Sequence, residues 1–165
     1  MIEYKNILFC TDFSEDANIA FLHALDMAKK YDAKLHIFHV PHSSYAYCKH
    51  VMDEHTAEGV PGGETHFEEK VSKKAEETVR KEYEERLGDF KNYQIVVQGG
   101  APDVEIIRYA KNNKIDVIVM GALGKSEQDR IVHGSTVSNV SKYAHCHVIA
   151  IRNPANRFTL PGQMY

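Results

Sequence analysis

The chain has 165 residues, 43% apolar, 26% charged and 10% aromatic, with a formal net charge of −3 and a pI near 6.4. A chain of this length fits one domain that buries roughly two thirds of its unfolded surface, so folding requires no disulfide or metal staple. The charge balance excludes a basic footprint for nucleic acid or an anionic membrane, and no stretch approaches the ~20 apolar residues of a membrane span. The opening MIEYKNILFC has neither the basic leader nor the apolar run of a secretory signal. Cys10, Cys48 and Cys146 are an odd number at unrelated spacings and read as reduced thiols, so a cytoplasmic location is expected.

The first β-rich segment is Ile7-Leu8-Phe9. After it, Asp12 or Ser14 can cap a helix whose apolar residues Ala17, Ala20, Phe21, Ala24, Leu25 and Ala28 recur at three- and four-residue steps on one face. Leu35 to Val40 forms the second strand. Residues 41–65 read as a polar, histidine-containing insertion broken at Val60-Pro61-Gly62-Gly63. Phe67, Val71, Ala75, Val79, Tyr83 and Leu87 then fall every four residues among Glu and Lys, and Gly88 ends the pattern. Tyr93 to Val97 is the third strand. Pro102 opens a helix over about 103–113 with Val104, Ile107 and Ala110 or Tyr109 inward. Val117 to Met120 is the fourth strand, a helix follows over about 135–144 with Val137, Val140 and Ala144 inward, and Val148 to Ile151 is the fifth strand. The first and last two strands are near-continuous apolar runs, as in a parallel sheet covered on both faces. The alternation predicts an α/β, doubly wound fold. Residues 1–152 form a single domain in this reading, and 153–165, with Pro154 and Pro161, form a tail.

In such a sheet, ligands sit beyond the carboxyl ends of the strands, where the strand order reverses. Strand one ends in Thr11-Asp12-Phe13-Ser14, and strand four runs into Gly121-Ala122-Leu123-Gly124-Lys125-Ser126. Gly124-Lys125-Ser126 looks like the tail of a P-loop, but residue 119, where that motif needs glycine, is Val119. What is present is Gly121, Gly124, nine residues, then Gly134-Ser135. Glycines after a buried strand let backbone approach a ligand, and a helix opening at Ser135-Thr136 offers unpaired N–H groups suited to phosphate. Lys125 and Arg130 lie between as candidate countercharges. His39, His42, His50, His55 and His66, with Cys48, Asp53 and Glu54 among them, show no recognised ligand spacing, so no metal site is assigned. Cys10, at the end of a buried strand, reads as an inert thiol.

The spacing Gly-x2-Gly-x9-Gly-Ser resembles the nucleotide-binding signature of the universal stress protein family. Thr11-Asp12-Phe13-Ser14, Asp116 to Gly121 and the closing Ala144 to Ile151 are similar as well, and the likeness spans about residues 3–152. The resemblance implies a Rossmann-like, five-stranded parallel sheet of order 3-2-1-4-5 with four helices, and a homodimer formed through the last strand, about 147–152. It also implies ATP as the ligand, with magnesium as an expected companion of a triphosphate. Carried over by position, Thr11 and Asp12 would touch the adenine and ribose end and Val40 would line the adenine pocket. Met120, Gly121, Leu123 and Gly124 would hold the ribose and inner phosphates, and Gly134, Ser135, Thr136 and Val137 the outer phosphates. His147 departs from the proline common there in the family. The resulting expectation is a nucleotide-dependent regulatory protein of the stress response, with an unidentified protein partner and little intrinsic hydrolysis. The alternatives are a slow ATPase on the same fold, with Asp129 and His133 as candidate bases, and a ligand-free dimeric interaction module. Changing Gly121 and Gly134 together to valine is expected to abolish binding while the fold survives.

Overall fold

The computed structural model describes residues 2–41, 64–124 and 135–155, and side chains within those spans except at 64–69 and 135. The elements run β1 (Asn6–Thr11), α1 (Glu15–Tyr31), β2 (Lys34–His39), α2 (Glu64–Leu87), β3 (Tyr93–Val97), α3 (Pro102–Asn112), β4 (Val117–Gly121), α4 (Ser135–Tyr143) and β5 (His147–Ile151). The strands form one sheet of order β3-β2-β1-β4-β5, parallel at every pairing. This is the expected α/β doubly wound topology, and it puts the reversal of strand order between β1 and β4.

Alternation along the strands divides the core in two. Ile7, Phe9, Leu35, Ile37, Val117 and Val119 meet Ala20, Phe21, Ala24 and Ala28 of α1 and Val79, Tyr83 and Leu87 of α2. Leu8, Cys10, Phe38, Ile118 and Met120 meet Ile106 and Ala110 of α3 and Val140 of α4. Burial pushes the Cys10 thiol well up, with a smaller contribution from Cys146, so it is an inert core thiol as expected.

Local chemistry explains the element ends. Ser14, rather than Asp12, caps α1: its Oγ accepts from the Ala17 N–H at 3.1 Å, while Asp12 Oδ1 accepts from the Ser14 N–H at 3.0 Å. Glu15 and Asp16 stand in the first turn and Lys29 and Lys30 in the last, each complementing the helix dipole. Asp32 ends the helix at φ 52°, and β2 starts two residues later. At the amino edge of the sheet, Asp116 Oδ2 accepts from the N–H groups of Lys5 and Asn6 at 2.7 and 2.8 Å, which sets the start of β1 against β4.

Two expected packing assignments change. In α3, Ile106 is buried and Val104 is 40% exposed. The inward face instead includes Glu105, whose carboxylate accepts from Arg108 at 2.6 Å and lies where a Cβ on Gly100 would sit. β5 is only half-buried because it is an edge strand, so its apolar run marks an uncovered margin rather than two covered faces.

Tyr83 joins α2 to the carboxyl end of β1. It is fully buried against Phe9 and Phe21, and its hydroxyl lies 2.6 Å from Thr11 Oγ1. Tyr83→Phe is expected to cost about 1 kcal/mol, read from urea unfolding, because the buried pair with Thr11 and a long bond to Asn18 Oδ1 at 3.5 Å are lost while Thr11 Oγ1 still accepts from the Phe13 N–H and Asn18 Oδ1 from Arg86. An unchanged midpoint would show that the pair adds nothing net.

Candidate functional site

The crevice at the strand-order reversal is bounded by the loop after β1 (Asp12 to Ser14), the turn after β4 (Ala122 to Gly124) and the start of α4. Val40, just beyond β2, and Val137, in the first turn of α4, both pack against the core that contains Met120. The structure thus brings Val40, Met120 and Val137 to one face of the sheet, with Thr136 half-buried beside Val137. Ser135 opens α4 as expected.

The first turn of α4 contains no acidic residue, whereas α1 carries Glu15 and Asp16 there and α3 carries Asp103 and Glu105. Its leading N–H groups have no partner within the helix, and its positive end is not countered by carboxylates of its own first turn. α4 is tied to α3 by Asn139, whose Nδ2 donates to Asp103 Oδ2 at 2.7 Å.

Thr11, which the resemblance implies touches the adenine and ribose end, is buried. Its hydroxyl is turned toward α2, where it meets Tyr83 and the Phe13 N–H, and its carbonyl accepts from His39 Nδ1–H at 2.8 Å. Phe13 adopts φ 62°, unusual for a bulky residue, and its ring lies 4.6 Å from that of His39. Asp12 is exposed at the lip of the crevice.

The turn after β4 is held tightly. Gly121 ends the strand opposite Ile151, and a Cβ there would lie 2.7 Å from the Ala17 nitrogen and 2.9 Å from Asp16 Cβ. The Ala122 N–H donates to the Ile151 carbonyl at 2.7 Å. The Leu123 N–H donates to Asp16 Oδ2 at 3.0 Å, so that amide is directed away from the crevice. Gly124 is half-buried. Lys125, Arg130 and Gly134 lie outside the described residues, as do Cys48, Asp129, His133 and most of the insertion.

Asp16 is the residue that motif reading missed. It is 2% exposed, and its Oδ1 also accepts from the Asn153 N–H at 2.9 Å. A signal was available: Asp16, Ala20, Ala24 and Ala28 are spaced by four, which puts a carboxylate in line with the buried stripe of α1.

The model of the universal stress protein family matches residues 3–152. The chain belongs to the universal stress protein family. Universal stress protein MJ0531 of Methanocaldococcus jannaschii is 31% identical over 161 residues, with 92% of this chain and 84% of the relative covered. Universal stress protein MJ0577 of the same organism is 31% identical over 170 residues, covering 92% and 96%. The solved structure of MJ0577 superposes with a TM-score of 0.69 at 25% identity, covering 94% of this chain and all of that one. A universal stress protein solved in complex with cAMP shares the fold at 19% identity and a TM-score of 0.57, with 91% and 98% covered. Among the described residues, no helix is long and apolar enough to cross a membrane.

Proposed function

We propose that this universal stress protein binds ATP in the crevice beyond β1 and β4 and acts as a nucleotide-dependent regulator in the cytoplasm, with little turnover of its own. The observation that carries the reading is that β4 ends in a glycine turn at the reversal of strand order, and that α4, whose first turn lacks carboxylates, packs through Val137 and Val140 on the core containing Met120. Val40, Met120 and Val137 would supply an apolar wall for the base and ribose, and Asp12 a polar contact at the lip. Gly124, Lys125, Arg130 and the segment Gly134 to Val137 would take the phosphates. A relative crystallised with cAMP supports the view that this fold receives adenine nucleotides. The half-exposed Val148, Ile149 and Ile151 of edge strand β5 favour pairing with a second copy, which would cover that margin.

The test is to denature freshly purified protein, identify any released nucleotide, and titrate the emptied chain with ATP by calorimetry. Micromolar affinity, about −8 kcal/mol, without multiple turnovers is the expected result. Asp12→Ala should weaken binding about tenfold, the effect of losing one hydrogen bond to a charged group, and lower stability by about 1 kcal/mol, because the Ser14 N–H loses its acceptor while the Ser14 hydroxyl retains the helix cap. No bound nucleotide and no heat would overturn the reading in favour of an interaction module. Rapid hydrolysis lost on Asp129→Ala or His133→Ala would replace it with an ATPase.

A further inference from the structure

We infer that Asp16 is a positioning residue for the ligand-binding turn: it holds the backbone after β4 in the conformation that receives the phosphates of the nucleotide. The inference rests on the nucleotide reading above. Asp16 is the second residue of α1 and lies beneath the turn rather than in the crevice. It is 2% exposed, and its two carboxylate oxygens reach two different segments, Leu123 after β4 and Asn153 after β5. The first turn of α1 touches the glycine turn at two points. One is the close approach of Gly121 to Asp16 and Ala17, and the other is the hydrogen bond to Leu123. Between them, the Ala122 N–H is taken by the Ile151 carbonyl. Residues 121, 122 and 123 are therefore each fixed to a regular element, and Gly124 is the first residue beyond the anchor.

The chemistry requires a carboxylate. Two N–H donors from separate segments approach two oxygens of one side chain, and a carboxylate accepts at both. An asparagine of the same shape would turn an NH2 group toward one of the two donors. A threonine or serine would offer a single oxygen. The charge itself would act in the opposite sense, because a carboxylate near bound phosphates repels them. Positioning and electrostatics therefore predict opposite signs for the same substitution.

The experiment compares full-length wild type and Asp16→Asn by calorimetric titration with ATP and, separately, adenosine. Positioning predicts that ATP affinity falls about tenfold, as expected for one lost charge-assisted hydrogen bond, while adenosine affinity stays within about twofold. If Asp16→Asn binds ATP as tightly as wild type or more tightly, the inference is overturned. Equal losses for both ligands also overturn it, since they indicate general damage rather than misplacement at the phosphate end. A wild type that takes up neither ligand overturns the nucleotide reading itself, and the role of Asp16 with it. Should Asp16→Asn fail to fold, amide hydrogen exchange on wild type decides. Slowing of both Leu123 and Asn153 on addition of ATP supports the inference, and no change at Leu123 overturns it.

Discussion

Replacing Gly121 with valine is expected to destabilise the protein by about 3 kcal/mol or more and to lower the melting temperature by about 10 °C for a chain of this size. The reason is geometric. A Cβ on Gly121 would sit 2.7 Å from the Ala17 nitrogen and 2.9 Å from both the Asp16 carbonyl carbon and Asp16 Cβ. Two of those three atoms are helix backbone, so relief requires moving α1 away from β4 rather than rotating a side chain. Moving α1 would in turn stretch the bond from Leu123 to Asp16 and disturb the core formed by Ala20, Phe21 and Ala24. Alanine should show most of the effect, because the first carbon is the one that collides. Gly99 provides the control: a Cβ there meets nothing within 4 Å, so Gly99→Ala should stay within about 0.5 kcal/mol of wild type. Paired urea titrations check the contrast, and equal midpoints for Gly121→Ala and Gly99→Ala would refute the packing argument.

The close approach at Gly121 argues against the expectation that valine there, together with Gly134, removes binding while sparing the fold. Gly121 is required by the α1–β4 contact whether or not a ligand is bound. Loss of nucleotide binding in such a variant would not identify a ligand contact. Asp12 and Asp16→Asn are better probes, since one lies at the lip and the other keeps the side-chain volume.

The fold was largely legible in the sequence because period and punctuation agree. The apolar stripe Ala17 to Ala28, the four-residue steps from Val71 to Leu87 and the glycine at 88 each describe an element and its end. What was not legible depends on partners distant in the chain. In α3, Glu105 is buried because Gly100 leaves room above it and Arg108 pairs with it, facts that no local pattern contains. β5 reads as a covered strand from composition, and only its place at the edge of the sheet shows otherwise. In the site, the glycines and the opening of α4 were visible. The inward turn of the Thr11 hydroxyl was not, since it depends on Tyr83, 72 residues away. Asp16 escaped notice because an acid in a first helical turn is already explained by the dipole.

His36 supplies a second large effect, which depends on pH. It lies in β2 with 3% exposure, facing α3, in a small polar cluster within an otherwise apolar layer. Its Nδ1 is 2.9 Å from the Tyr109 hydroxyl and 3.1 Å from Gln94 Nε2, and its Nε2 is 3.4 Å from Asn6 Oδ1. Gln94 can only donate through that nitrogen, so the arrangement suits a neutral ring with Nδ1 as acceptor. Burial, and secondarily the Lys34 ammonium, lower its pKa from the ordinary 6.5 to about 4. The folded protein therefore resists a proton that the unfolded chain accepts. The associated stability is complete above pH 6.5 and is lost as pH falls from there toward 4. The loss amounts to about 2 kcal/mol at pH 5 and about 3 kcal/mol at pH 4. Urea unfolding of wild type and His36→Phe at pH 7.5 and pH 5 isolates the contribution. The variant should be less stable at pH 7.5, where Gln94 and Tyr109 lose a partner, yet its decline between the two pH values should be smaller than that of wild type by about 2 kcal/mol. A titration of the His36 ring followed by NMR gives the direct check. A midpoint near 6.5 would mean that the cluster admits water or accommodates the charged ring, and the pH dependence would then have to arise elsewhere.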